Sequence, residues 1–172
     1  FIEVIPLSPK DSEVNAGLVQ YIADIAEGDI YASVRLDDDD GLANTFIDQL
    51  ENYMKPEFSG FVVSFAKGHG VLLDNAGDIK KMANYKWRFG SAGLSYISTK
   101  NNALETGRYS AYQCGNHIKT DDLYPTISDG RYAAFIRAFH AENDSKDKFD
   151  DCVARVLTDE ERNNKMKVYS LK

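Results

Sequence analysis

The stretch Ile30-Tyr-Ala-Ser-Val-Arg-Leu-Asp-Asp-Asp-Asp-Gly-Leu42 decides how this chain is read. Asp29 to Leu36 is rich in β-branched and aromatic residues and predicts a strand. It delivers four consecutive carboxylates, Asp37, Asp38, Asp39 and Asp40, before Gly41 breaks the run. Leu42, Phe46, Ile47, Leu50, Tyr53 and Met54 then recur at helical spacing, and Pro56 stops that helix. Upstream, Val14, Leu18, Ile22 and Ile25 mark one face of another helix over Val14 to Ala26, with Asp11 or Ser12 to open it and Gly28 to end it. The order helix, strand, acidic loop, helix predicts an α/β fold, in which ligands bind beyond the carboxyl ends of the strands. The aspartates are expected at such an end.

Working outward, Phe1 to Leu7 reads as a strand or strand end. Gly60 to Phe65 and Gly70 to Leu73 read as two short strands in a hairpin turning at Lys67-Gly-His-Gly70, with His69 as a turn residue. Tyr85-Lys-Trp-Arg-Phe-Gly90 is an aromatic and basic cluster, which suits either core packing or a platform for a sugar ring or base beside phosphate-binding Lys86 and Arg88. Arg131 to His140 suits a helix or a buried strand. From about residue 146 to 172 the chain is highly charged, and Val153, Val156 and Leu157 predict a C-terminal helix with a solvated face. No repeat or low-complexity linker divides the 172 residues, and one domain is expected.

Hydrophobic residues make up 43% and charged residues 27%, a composition that can bury a core. The net charge of −7 and scattered Lys and Arg argue against a nucleic-acid partner. Cys114 and Cys152 form no metal-binding spacing and fit a reducing compartment. The sequence has no apolar run of membrane-spanning length and no basic-then-apolar leader, so a cytoplasmic protein is expected.

Adjacent carboxylates repel, raise one another's pKa and are relieved by a bound cation. Mg²⁺ and Mn²⁺ prefer carboxylate oxygens and often complete their shell with substrate phosphates. If the run stays extended, alternation places Asp38 and Asp40 together. The residues alone leave alternatives open. A solvated acidic turn capping the next helix uses the same aspartates, and an EF-hand would require Glu where Asp48 stands. A phosphoryl-transfer enzyme would share the carboxylates.

The aspartate run with its Arg35, followed by Phe46-Ile-Asp-Gln-Leu50, resembles the signature of the putative rhamnosyltransferase family of bacterial polysaccharide synthesis. Gly60-Phe-Val-Val-Ser-Phe65 with Gly70 looks like that family's next strand and glycine turn. Gly115-Asn-His117 is similar to its Gly-Asn-His element, and His140 with Asn143 to its closing His-x-x-Asn motif. The similarity touches most of residues 16 to 145.

The resemblance implies a GT-A-like nucleotide-diphospho-sugar transferase sheet flanked by helices. It implies an Asp-x-Asp motif, Mn²⁺ or Mg²⁺, a nucleotide-sugar donor and a saccharide acceptor. Asp38, Asp40 and His140 would then serve the metal, and Arg35, Asp37, Asp38, His117 and His140 the donor diphosphate. Asp121, Asp122 and Glu105 are candidates for a base, and no spacing chooses among them or between inverting and retaining chemistry. Peripheral association with a membrane or polysaccharide-assembly system would fit such a role. Such sheets place their first strands well before the Asp-x-Asp motif, yet 36 residues precede Asp37. Either the family is short at this end, or the first half of the sheet belongs to a part of the protein outside this chain. The rival from another class is a noncatalytic acidic domain that binds Ca²⁺ or a partner.

Overall fold

A computed structural model describes residues 19–24, 29–140 and 149–170. The expected strand at Phe1 to Leu7, most of the first expected helix, and Asn143 lie outside the described residues. In chain order the elements are α1 (residues 19–24), β1 (Ile30–Arg35), β2 (Asp40–Leu42), α2 (Phe46–Glu51), β3 (Val62–Phe65), β4 (Lys67–Leu73) and β5 (Ile79–Lys86). They continue as β6 (Leu94–Thr99), α3 (Lys100–Thr106), α4 (Thr120–Leu123), β7 (Thr126–Asp129), β8 (Phe135–Phe139), α5 (Phe149–Cys152), β9 (Val153–Val156) and α6 (Asp159–Met166). No helix among the described residues is long and apolar enough to cross a membrane.

The α/β class is as expected, with the strands divided between two mixed sheets. One has the order β1-β6-β3-β7, and the other β2-β8-β4-β5-β9. In the first, β6 runs antiparallel to both β1 and β3, while β7 is parallel to β3. In the second, β8 is antiparallel to β2 and parallel to β4. The chain crosses between sheets after β1, β2, β3, β5 and β7, so the first crossing is made by the aspartates themselves.

The α2 stripe behaves as its spacing predicts. Phe46 and Leu50 are buried with Val63, Phe65 and Ile97, and Leu42, Ile47 and Tyr53 pack around them. The Phe46 and Phe65 rings meet edge to face at 5.1 Å. This packing fixes the chain immediately after the acidic turn against the first sheet.

Three expectations fail, each for a nonlocal reason. Residues 67–70 are not a hairpin turn, because β3 and β4 belong to different sheets and Lys67 to Gly70 all lie within β4. The glycines that look like turn signals instead admit β8. Gly68 faces Phe135 across the parallel ladder, and a Cβ there would lie 2.7 Å from the Phe135 ring. His69 is therefore buried, at 3% exposure, rather than a turn residue. Arg131 to His140, by contrast, takes the second of its two expected forms, a strand, over its second half, β8. Val153 and Val156 do not belong to a helix: they form the edge strand β9 against β5, and the C-terminal helix begins only at Asp159, capped by Thr158 and Glu161.

His69 joins a buried chain of hydrogen bonds. The Tyr169 hydroxyl donates to the Phe135 carbonyl at 2.8 Å, so it accepts from His69 Nδ1–H at 2.6 Å. Asn44 N–H donates to Val168 O at 2.9 Å, which ties the same C-terminal segment to the loop between β2 and α2. Burial, with Lys165 and Lys67 adding to it, pushes the His69 pKa down to about 4. A base whose folded pKa is depressed gives stability that is complete above its unfolded value of about 6.5 and lost as pH falls towards 4. Between pH 7 and pH 4.5, His69 is expected to account for roughly 2 kcal/mol of lost stability. Urea unfolding of wild type and His69→Gln checks this: the variant's stability should fall less across that range, and equal slopes would refute it.

Candidate active site at the seam of the two sheets

β1 carries the aspartates to the carboxyl end of the first sheet, as its sequence predicts. Arg35, its last residue, holds Asp37 through Nε to Oδ1 at 3.2 Å and lies 5.1 Å over the Tyr112 ring. The run does not stay extended. Asp40 N–H donates to Asp37 O at 3.1 Å, closing a turn with Asp38 and Asp39 at its tip. The alternation expected for an extended segment therefore fails at Asp38, which is exposed at the tip, while Asp40 opens β2.

Asp40 has the most perturbed carboxyl of the four. Burial, reinforced by the neighbouring Asp39 charge, raises its pKa to about 7 despite the opposing charge of Arg137. Its Oδ1 is buried and has no hydrogen-bond partner among the described residues. The carboxyl as a whole is not bare, since the Ala138 backbone N–H donates to it, but a buried carboxylate oxygen without a hydrogen bond is costly unless a cation or donor meets it. Asp39 stands 3.9 Å from His140 Nε2, so the tip of the turn and the end of β8 converge.

The β5–β6 crossing supplies the facing wall. Trp87 meets His117 edge to face at 5.0 Å and carries the Arg137 guanidinium 4.6 Å over its ring. Arg137 pairs directly with Asp40 across the β2–β8 ladder. His117 Nδ1 contacts the Phe89 carbonyl, which can only accept; Nδ1 thus carries the proton and Nε2 is left as the acceptor of the neutral ring. In sum, Asp40, Arg137, Trp87 and His117 form one contiguous cluster, with Asp39 and His140 at its edge.

The candidate bases separate by topology. Asp121 is exposed on α4 and reaches the exposed Arg88 at 3.9 Å, beside the Trp87 crossing; Asp122, next to it, is also exposed. Glu105 is exposed on α3, which begins where β6 ends. Because Thr99 pairs with Ile30 and Leu94 with Arg35, α3 starts at the end of β1 remote from the aspartates. The structure does not bring Glu105 to the cluster.

On the other side of β2, Asp39 and Asp40 border a groove of about 640 Å³ floored by Val71, Ile79 and Met166, with Asp78 and Arg162 on its rim. No three His, Cys, Asp or Glu side chains among the described residues form a ready-made metal cage. Sequence reasoning missed Arg137, although a lone arginine inside Phe-Ile-Arg-Ala-Phe is an anomaly that burial cost alone makes conspicuous.

A family model described as "Putative rhamnosyl transferase" matches residues 9–151, most of the chain, including the aspartate turn and the whole facing wall. No curated protein and no solved structure matches.

Proposed function

Because the chain belongs to the putative rhamnosyl transferase family, and is thereby a glycosyltransferase, we propose that it moves a sugar from a nucleotide-sugar donor to a saccharide acceptor with the help of Mn²⁺ or Mg²⁺, in a GT-A-type arrangement serving bacterial surface-polysaccharide synthesis. The observation that carries this reading is the aspartate turn at the carboxyl end of β1, with Asp40 Oδ1 buried and without a hydrogen bond among the described residues. The donor set fits a hard divalent ion, which needs only one or two protein carboxylates when phosphates and water complete its shell. In this proposal Asp38 and Asp40 hold the ion and His140 stands beside it. When bound, the ion offsets the charge that develops on the departing nucleoside diphosphate.

The chain's own residues have distinct parts in this reading. Arg35 fixes Asp37, and with it the start of the turn, so that the carboxylates are positioned before substrate arrives. His117, with Nδ1 engaged by Phe89, presents Nε2 to a hydroxyl of a sugar substrate.

A screen of nucleotide-sugars for turnover with Mn²⁺ or Mg²⁺ tests the proposal. Activity is expected to vanish with EDTA and return with added metal. Stabilisation by Ca²⁺ alone, with no response to any nucleoside diphosphate, would instead support a noncatalytic acidic binding domain.

A further inference from the structure

We propose that His117 is the general base of the transfer: its Nε2 takes the proton of the attacking acceptor hydroxyl, and the reaction inverts the anomeric carbon. This rests on the glycosyltransferase reading above. The chain before His117 is fastened to β1, the strand that ends at the aspartates. Ala111 N–H donates to Ser33 Oγ at 3.0 Å, and the Arg35 guanidinium lies over the Tyr112 ring. His117 then opens a 3₁₀ turn, His117–Lys119, which Asn116 caps by accepting Ile118 N–H on Oδ1 at 3.1 Å. The hydroxyl of the buried Thr120 donates to the His117 carbonyl at 2.6 Å, and Trp87 packs against the imidazole edge to face. The backbone is held on both sides of His117, so the ring is in place before substrate arrives.

The ring has the protonation state that a base requires. Nδ1–H is committed to the Phe89 carbonyl, which leaves the lone pair on Nε2. Nε2 makes no hydrogen bond among the described residues, and the side chain is half-buried rather than sealed in the core. One nitrogen thus fixes the tautomer and keeps a carbonyl partner for the imidazolium that forms, while the other is left for substrate. The carboxylates are placed less well: Asp121 turns to Arg88, and Glu105 lies at the remote end of β1. The step is a single displacement. The acceptor proton passes to Nε2 as the acceptor oxygen bonds to the anomeric carbon. The bond from that carbon to the diphosphate breaks, and its electron pair leaves with the nucleoside diphosphate. The imidazolium then returns its proton to solvent.

The test uses the full chain with Mn²⁺, a panel of UDP-, dTDP- and GDP-sugars as donors and p-nitrophenyl glycosides as acceptors. It compares wild type with His117→Asn, whose amide N–H can replace Nδ1–H on the Phe89 carbonyl but supplies no basic nitrogen. Turnover of the best donor is expected to fall about 10²- to 10³-fold. Calorimetric affinity for the matching nucleoside diphosphate with Mn²⁺ should stay within about threefold of wild type, because the base acts on the acceptor and not on the donor. The wild-type product should carry the anomeric configuration opposite to the donor's, read by NMR. A residue kept only for packing would lower nucleotide affinity and the urea midpoint together with turnover. Turnover in His117→Asn within tenfold of wild type, a product that retains the donor's configuration, or a parallel loss of nucleotide binding would overturn the inference. If His117→Asn does not fold, His117→Gln decides by the same criterion. Turnover by wild type that persists in His117→Asn would leave the transferase reading standing and remove only the base. No transfer by wild type with any of these donors would overturn both.

Discussion

Asp40→Asn is expected to reduce sugar transfer by about 10²- to 10³-fold while making the metal-free fold more stable at alkaline pH. The two effects share one cause. Asp40 is placed where a carboxylate is unfavourable without a cation: burial and the Asp39 charge raise its pKa to about 7 from an ordinary 3.8. An acid with a raised folded pKa favours folding only while it is protonated. Its destabilising contribution therefore develops as pH rises from about 4 and is complete above 7. Asparagine keeps the shape and an acceptor oxygen but never carries the charge. The gain at pH 8.5 is roughly 2 kcal/mol, taken well below the full linkage value because Asp40 is partly exposed. It should disappear near pH 4. The same exchange removes a hard anionic ligand, so Mn²⁺-dependent nucleotide binding is lost with the activity. Urea unfolding at both pH values, beside turnover with Mn²⁺, measures the two consequences. Turnover within tenfold of wild type, or a stability change that ignores pH, would contradict this assignment of Asp40.

Gly68→Ala is expected to cost about 3 kcal/mol or more, a large share of the stability of a single domain. The added Cβ would lie 2.7 Å from two atoms of the Phe135 ring and press on the Phe135 backbone carbonyl. Neither neighbour can yield cheaply. Phe135 is 1% exposed and meets Tyr85 edge to face at 5.9 Å, and its carbonyl accepts the Tyr169 hydroxyl. Any relief separates β4 from β8, which also carries Arg137 and pairs with Asp40. Gly130→Ala is the control, because a Cβ there meets nothing within 4 Å. Urea midpoints for the two variants should differ widely. A Gly68→Ala protein as stable as Gly130→Ala would show that the β4–β8 pairing is looser than its register implies.

Local sequence alone determined β1, the acidic turn at its end, and the α2 stripe. A strand built from β-formers and a helix with apolar spacing are read from neighbours a few residues apart, and Phe46 and Leu50 pack where that spacing puts them. The family also follows from residues close in sequence to the aspartates. By contrast, Gly68 and Gly70 carry no local sign that separates a turn glycine from one that admits a neighbouring strand. Val153 and Val156 fit a helical face until β5 takes them as an edge.

Tertiary structure decided the rest. That Asp38 is exposed while Asp40 is half-buried follows from the closing of the turn and the pairing of β2 with β8. That Glu105 is remote follows from the antiparallel register of β1 and β6. Arg137 enters the cluster only because β8 lies next to β2, a pairing between segments far apart in the chain. Periodicity reports which side of an element is apolar, but which strand lies beside which is fixed by nonlocal hydrogen bonding and burial. The sequence therefore determined the carboxylates and the chemistry they suit, and the folded sheets alone determined which aspartate is strained and which cation and aromatic ring face it.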